Sequence, residues 1–263
     1  MVSARVRLGA VGYLNAAPLV HGLAGDPLFE IVRDVPARVG DALEAGEIDL
    51  GLIPSVDYVR GDYVIVPGVA VASRGEVRSV GLYHRRPLES LRRVAVDASS
   101  HTSGVLLRVL LHEALGREPE YVTRPPDLPA MLADADAALL IGDPALYYEG
   151  DVERWDLGSA WARSTGLPFV YAFWAGRAEA VTDHVVARLQ DAGRHGRSEL
   201  PRVASSYNGH GAGREAFNEA YLRDNIVYDF GPAEQAGLLA FYRRAKERGL
   251  IARVPELRFH GRS

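Results

Sequence analysis

Cysteine is absent from the 263-residue chain. That excludes a disulfide framework, a thiolate metal site, an iron–sulfur cluster and a cysteine nucleophile together, and it suits a reducing compartment. Lysine is almost absent: of 30 basic side chains only Lys246 is lysine. A Schiff-base mechanism would have to use that one residue, and the Walker lysine pattern is missing. A surplus of positive charge is missing too, with a net charge of −4 and a pI of about 6.1. Nucleic acid is therefore not an expected partner, because phosphate contacts need that surplus. No run approaches the ~18 apolar residues of a membrane span. Arg5 and Arg7 precede an apolar stretch from Leu8 to Val20, but Gly9, Gly12, Asn15 and Pro18 interrupt it. No continuous signal-peptide core results, and the expected location is the cytoplasm, with no membrane partner.

What is present is the periodicity of an α/β protein. Val6–Val11, Phe29–Val35 and Asp49–Ile53 read as buried strands, with an amphipathic helix over Arg38–Ala45 before the third. This is the βαβ rhythm of a mostly parallel sheet. Two valine-rich extended pieces follow, Val64–Ala72 and Glu76–Tyr83. A second αβ rhythm then starts: a strand at Arg93–Asp97, a helix at Ser103–Leu115, strands at Glu120–Arg124 and Ala137–Ile141, and a short helix at Asp127–Leu132. Gly166–Ala175 alternates Phe169, Tyr171 and Phe173 with Val170, Ala172 and Trp174, so both faces of that strand should be covered. Helices at Ala180–Ala192, Arg214–Asp224 and Pro232–Arg248 complete the chain. One αβ block, a second, and a return to the first is the path of two lobes joined by two crossings. The expected division is 1–83 with 174–263 for lobe 1, and 84–173 for lobe 2. Ligands in such folds bind between the lobes.

Four loops carry candidate chemistry. Gly12-Tyr13-Leu14-Asn15-Ala16-Ala17-Pro18-Leu19 follows the first strand, and the Asn15 amide offers both a donor and an acceptor; an Asx turn or helix cap is the equal structural reading. Ser55 leaves the third strand, where it either caps the next turn or touches a ligand. Ser99-Ser100-His101-Thr102-Ser103-Gly104 opens a helix with hydroxyls and unpaired N–H groups, which favours an anion. It lacks the glycine spacing of a nucleotide loop, so a carboxylate suits it better than a pyrophosphate, and a plain helix N-cap is the competing structural reading. Asp143 follows the strand Ala137–Ile141, either at the cleft or as a turn starter before Pro144. His101 has no second histidine at ligand spacing, so no metal site is expected. Neither a nucleophile elbow nor a dinucleotide fingerprint is present.

Gly12-Tyr13-Leu14-Asn15-x-x-Pro18-Leu19 resembles the amino-terminal signature of the chorismate dehydratases of menaquinone biosynthesis. The likeness continues through Asp49–Ser55, Val77–Val80, Ser99–Ser103, Thr165–Val170 and the stretch from Tyr221 to Leu238, in matching order. The chain departs from the family in carrying Gly12 where a serine precedes the tyrosine. The resemblance implies a two-lobed α/β fold of the type II periplasmic-binding-protein kind, no metal, no organic cofactor, and chorismate as small-molecule partner. It implies loss of water from chorismate to give 3-[(1-carboxyvinyl)oxy]benzoate, which opens the futalosine route. Asn15 would act at the reacting centre, with Asp143 or the substrate's own enolpyruvyl carboxylate as base. Tyr13, Ser55, Ser79, Ser100, Thr102, Ser103 and Gly142 would hold the substrate. A related dihydroxynaphthoate synthase of the same pathway, a non-catalytic solute-binding protein and a ligand-sensing domain of a regulator are the alternatives.

Overall fold

The computed structural model describes residues 5–261. The chain opens with β1 (Val6–Val11), the short helix α1 (Ala17–Val20), β2 (Phe29–Asp34), α2 (Pro36–Ala45), β3 (Leu50–Pro54) and β4 (Val64–Ser73). Pro36 starts α2 at the position where a missing N–H costs nothing, and Gly46, at φ +77°, ends it in a left-handed cap that L side chains avoid. The chain then crosses to β5 (Val80–His84), β6 (Arg93–Asp97), α3 (Thr102–Leu115), β7 (Glu120–Arg124), α4 (Leu128–Asp134), β8 (Ala137–Ile141), α5 (Gly142–Leu146), β9 (Glu153–Asp156) and α6 (Leu157–Thr165). It returns through β10 (Phe169–Gly176), α7 (Asp183–Ser198), α8 (Leu200–Ser206), α9 (Glu215–Asp224), β11 (Val227–Phe230) and α10 (Pro232–Glu247).

Two sheets result, one per lobe: a six-stranded sheet in the order β11-β4-β10-β3-β1-β2 and a five-stranded sheet in the order β7-β6-β8-β5-β9. The sheets are mixed rather than mostly parallel. β1 pairs in parallel with β2 and β3, and β6 with β7 and β8, as the αβ rhythm requires. The crossing and returning strands, β5 and β10, run antiparallel to their neighbours. Every residue of β10 is buried, since it lies between β3 and β4 under helices. Among the described residues no helix is long and apolar enough to cross a membrane.

The division between sheets falls a few residues from the expected one. β5 belongs whole to the second sheet and β10 whole to the first. A cut at 83/84 or 173/174 therefore splits a strand, and the crossings lie instead in the segments before β5 and before β10. Asp156 fixes both. Its carboxylate accepts the N–H groups of Val77 (3.2 Å) and Arg78 (2.8 Å) in the first crossing, and caps α6, the helix leading to the second, through Ser159 N–H (2.8 Å). Arg78 sits at φ +61°, in the left-handed region, and its guanidinium lies 4.7 Å from the centroid of the Phe217 ring.

The lobes share one continuous core at this junction. Phe241 of α10 packs edge-on against Phe169 of β10 (5.0 Å between centroids) and Trp161 of α6 (6.3 Å), and all three side chains are buried. Phe241→Ala would remove the ring that joins the two sheets' helices. It is expected to cost about 3–5 kcal/mol, read as a shift in the urea or thermal unfolding midpoint.

Candidate active site

The carboxyl ends of β1, β3, β6 and β8 converge on the cleft between the sheets, the place where ligands sit in open α/β folds. There the two lobes enclose a cavity. Val11, Ala16, Leu52, Pro54, Val71, Val80, Ile141 and Ala172 form its apolar walls. Its polar lining is Tyr13, Asn15, Ser100, Thr102, Ser103 and Tyr171, with Gly142 at one edge. Among the described lining residues there is no Asp, Glu, His, Lys or Arg side chain.

The lobes touch across this cleft through hydrogen bonds that also shape the site. Ala37 N–H donates to Ser99 O (3.0 Å), Val56 N–H to Thr102 Oγ1 (3.1 Å) and Leu14 N–H to Asp143 Oδ1 (3.0 Å). His101 Nδ1 lies 2.8 Å from Asp57 Oδ2, and that carboxylate raises the imidazole pKa. Ser100 Oγ accepts from Ser103 N–H (3.2 Å), which closes the first turn of α3. The amino end of α3, with its helix dipole and the hydroxyls of Ser100, Thr102 and Ser103, forms one wall of the cavity.

Gly142 has to be glycine. It sits at φ +60°, and a Cβ there would lie 2.4 Å from Tyr13 Cδ2. The Tyr13 ring thus lies flush against the backbone of the opposite lobe. Its hydroxyl donates to Ser99 Oγ (3.3 Å), and Ser99 in turn donates to the buried Asp97 (2.6 Å). Burial pushes the Tyr13 phenol up to about 12, so it stays protonated at neutral pH. Tyr171 is shifted well upward for the same reason.

Tyr13, Asn15, Ser100, Thr102, Ser103 and Gly142 are thus brought together from distant parts of the sequence. Three other candidates lie elsewhere. Ser55 is fully buried beneath the cavity and donates to Val170 O (2.8 Å), so its hydroxyl holds β10 rather than a ligand. Ser79 is buried and accepts from Tyr221 OH (2.7 Å). Tyr221 also lies beside the Asn15 side chain, so that phenol links Ser79 to the cavity. Asp143 does not line the cavity. Its two oxygens are engaged by Leu14 N–H and by Tyr207 OH, with His210 Nδ1 at 3.7 Å. The alternating pattern of its strand marks Tyr171 only as a core aromatic, and Tyr207 and His210 lie in a glycine-rich loop with no hydrophobic period to mark it.

The profile of a family described as menaquinone biosynthesis matches residues 6–247. The chain belongs to that family. It is 34% identical over 255 residues to a chorismate dehydratase of Thermus thermophilus, covering 89% of this chain and 93% of the relative. It is 28% identical over 173 residues to a chorismate dehydratase of Campylobacter jejuni, covering 62% and 64%. In fold it is similar to a protein of Archaeoglobus fulgidus (TM-score 0.79, 18% identity, 95% of this chain and 100% of that one). It is also similar to the periplasmic aliphatic sulphonate binding protein of Escherichia coli (TM-score 0.64, 18% identity, 97% and 96%). The architecture is that of a two-lobed periplasmic-binding-protein-like fold.

Burial raises the Asp143 pKa above its ordinary 3.8, against the lowering effect of its Tyr207 and Leu14 hydrogen bonds. A raised folded-state value means the folded chain keeps this proton to higher pH than the unfolded chain. The group's contribution to stability is then complete below about pH 4 and lost as pH climbs through the folded-state value. Asp143→Asn removes that dependence. The stability of the parent relative to Asp143→Asn is expected to fall as pH rises from about 4 to 7, by at most ~1.4 kcal/mol per unit, in urea unfolding at a series of pH values.

Proposed function

We propose that this chain eliminates water from chorismate to give 3-[(1-carboxyvinyl)oxy]benzoate, the opening step of the futalosine route to menaquinone. Membership of the menaquinone-biosynthesis family and the 34% identity to a chorismate dehydratase support the reading. The observation that carries the mechanism is the cavity itself: largely apolar with a few neutral polar groups, walled by both lobes, and lined among the described residues by no formally charged side chain.

Chorismate carries two carboxylates. Neutral hydroxyls and the amino end of α3 can receive one of them without a salt bridge, because unpaired N–H groups and the helix dipole both favour negative charge. Ser100, Thr102 and Ser103 fill that role. The hydrogen on C3 is acidified by conjugation through the ring diene to the ring carboxylate. In the reaction the C3–H bond breaks and its electron pair joins the ring π system. The C4–O bond breaks with its own pair, and the departing hydroxide and the proton leave as water. Aromatisation supplies much of the driving force, so the protein's task is orientation and stabilisation of developing charge.

No carboxylate or imidazole of the described lining residues is placed to take the C3 proton. Tyr13 and Tyr171, with raised pKa values, are donors rather than bases. The substrate's enolpyruvyl carboxylate, attached through oxygen to C3, is the base within reach. Asn15 donates to the reacting region, and Asp143 acts at one remove: its bond to Leu14 N–H sets the turn that presents Asn15. Asn15→Ala is expected to lose about 100-fold or more in kcat, whereas Asp143→Asn keeps most of its turnover. Steady-state assays with chorismate, following the enolpyruvyl-benzoate by chromatography, measure both. Tight chorismate binding without product would reject the reading in favour of a solute-binding role.

A further inference from the structure

On the outer face of lobe 1, away from the cleft, three metal-ligating side chains come together: His21, His195 and Glu199. Glu199 Oε2 lies 3.3 Å from His21 Nε2 and 3.3 Å from His195 Nε2, and the three ligand atoms all lie within 4.8 Å of one another. Tetrahedral zinc, with bonds of 2.0–2.2 Å to nitrogen and oxygen, sets its ligand atoms about 3.3–3.5 Å apart. Two of the three spacings already meet that requirement before any ion is bound.

The backbone behind these side chains is firmly placed. His195 and Glu199 stand four residues apart at the end of α7, and so share one face. Glu199 is the single residue between α7 and α8. Its N–H donates to His195 O (3.1 Å), and its carbonyl accepts from Val203 N–H (2.9 Å). His21 arrives from the far end of the sequence because α1 lies directly against α7: a Cβ on Gly196 would stand 2.0 Å from Pro18 O. That close approach puts the end of α1 within reach of the end of α7. His21 and His195 border an open concave surface shared with Gly22, Arg188 and Ser198, and Glu199 reaches both imidazoles from beside it, which leaves room for a fourth ligand from solvent. The neighbouring cations have carboxylates of their own: Arg188 pairs with Asp26 (2.6 Å) and Arg194 with Asp191. Arg202 reaches Glu199 only at 3.4 Å from an exposed side chain, a contact worth little.

We propose that His21, His195 and Glu199 form a binding site for a divalent transition-metal ion of the zinc class, with two imidazole ligands, one carboxylate and one open position. The site stands independently of the cleft reaction. It ties the end of α1, the helix that follows Asn15, to α7 and α8. Hard cations such as magnesium do not suit it, since they favour all-oxygen, octahedral sets.

The test uses tag-free protein stripped with a chelator and then titrated with Zn²⁺ against a chromophoric zinc indicator. One saturable zinc per chain is expected, with no competition from Mg²⁺. Zinc should also raise the melting temperature. His195→Ala, whose side chain is more than half exposed, and Glu199→Gln should each weaken binding by at least about tenfold and abolish the thermal shift, with unchanged circular dichroism. Absence of stoichiometric zinc binding, or binding undiminished in both variants, would overturn the site.

Discussion

A buried carboxylate holds the site together from behind. Asp143 stands at the start of α5 in the second lobe, yet both of its hydrogen-bond donors come from the first: Leu14 N–H and Tyr207 OH. Burying an ionisable group costs free energy unless its lone pairs are used, and here both oxygens are used by donors from the opposite lobe. The turn that carries Tyr13 and Asn15 is thereby fixed against the opposite lobe. Gly142 supplies the other half of the constraint, since only a residue without a side chain lets the Tyr13 ring lie against that backbone. Lobe docking and site geometry are in this sense one event.

Much of the frame is legible in the residues. Arg93–Asp97 and Ala137–Ile141 are strands with the ends the apolar runs mark, and Val6–Val11 likewise. Pro232 starts α10 and the terminal glycines stop α2 and α3 for the local reasons that operate in any chain. The helix Leu157–Thr165 and the strand Glu153–Asp156 escape notice, because the strand lies at a sheet edge with polar residues outward and the helix is short. Strand direction is also hidden. Valine-rich texture does not distinguish a parallel strand from the antiparallel β5 and β10, which is why the sheets are more mixed than the αβ rhythm suggests.

Within the site the loops were readable and the individual side-chain directions were not. Asn15 and the Ser100–Ser103 run stand at strand exits facing the cleft, where polar residues after a buried strand ordinarily point. Ser55 stands at a strand exit as well, but its hydroxyl turns inward to Val170 O, a choice made by β10, whose carbonyl arrives from more than a hundred residues away. Tyr221 binds Ser79 for the same kind of reason. Long-range partners decide which way a hydroxyl faces, and no local pattern carries that information. The cluster of His21, His195 and Glu199 escaped in the same manner, with its first member 178 residues from its last.

The fold is shared with proteins that bind solutes, and fold alone does not decide between holding a molecule and changing it. An interior wall without formal charge has a kinetic side to it. An anion entering such a pocket meets no lining cation, so the hold on it comes from short-range hydrogen bonds and the dipole of α3, which added salt screens little. The same neutrality eases release, because an anion that departs into water leaves no unpaired cation behind it among the lining side chains.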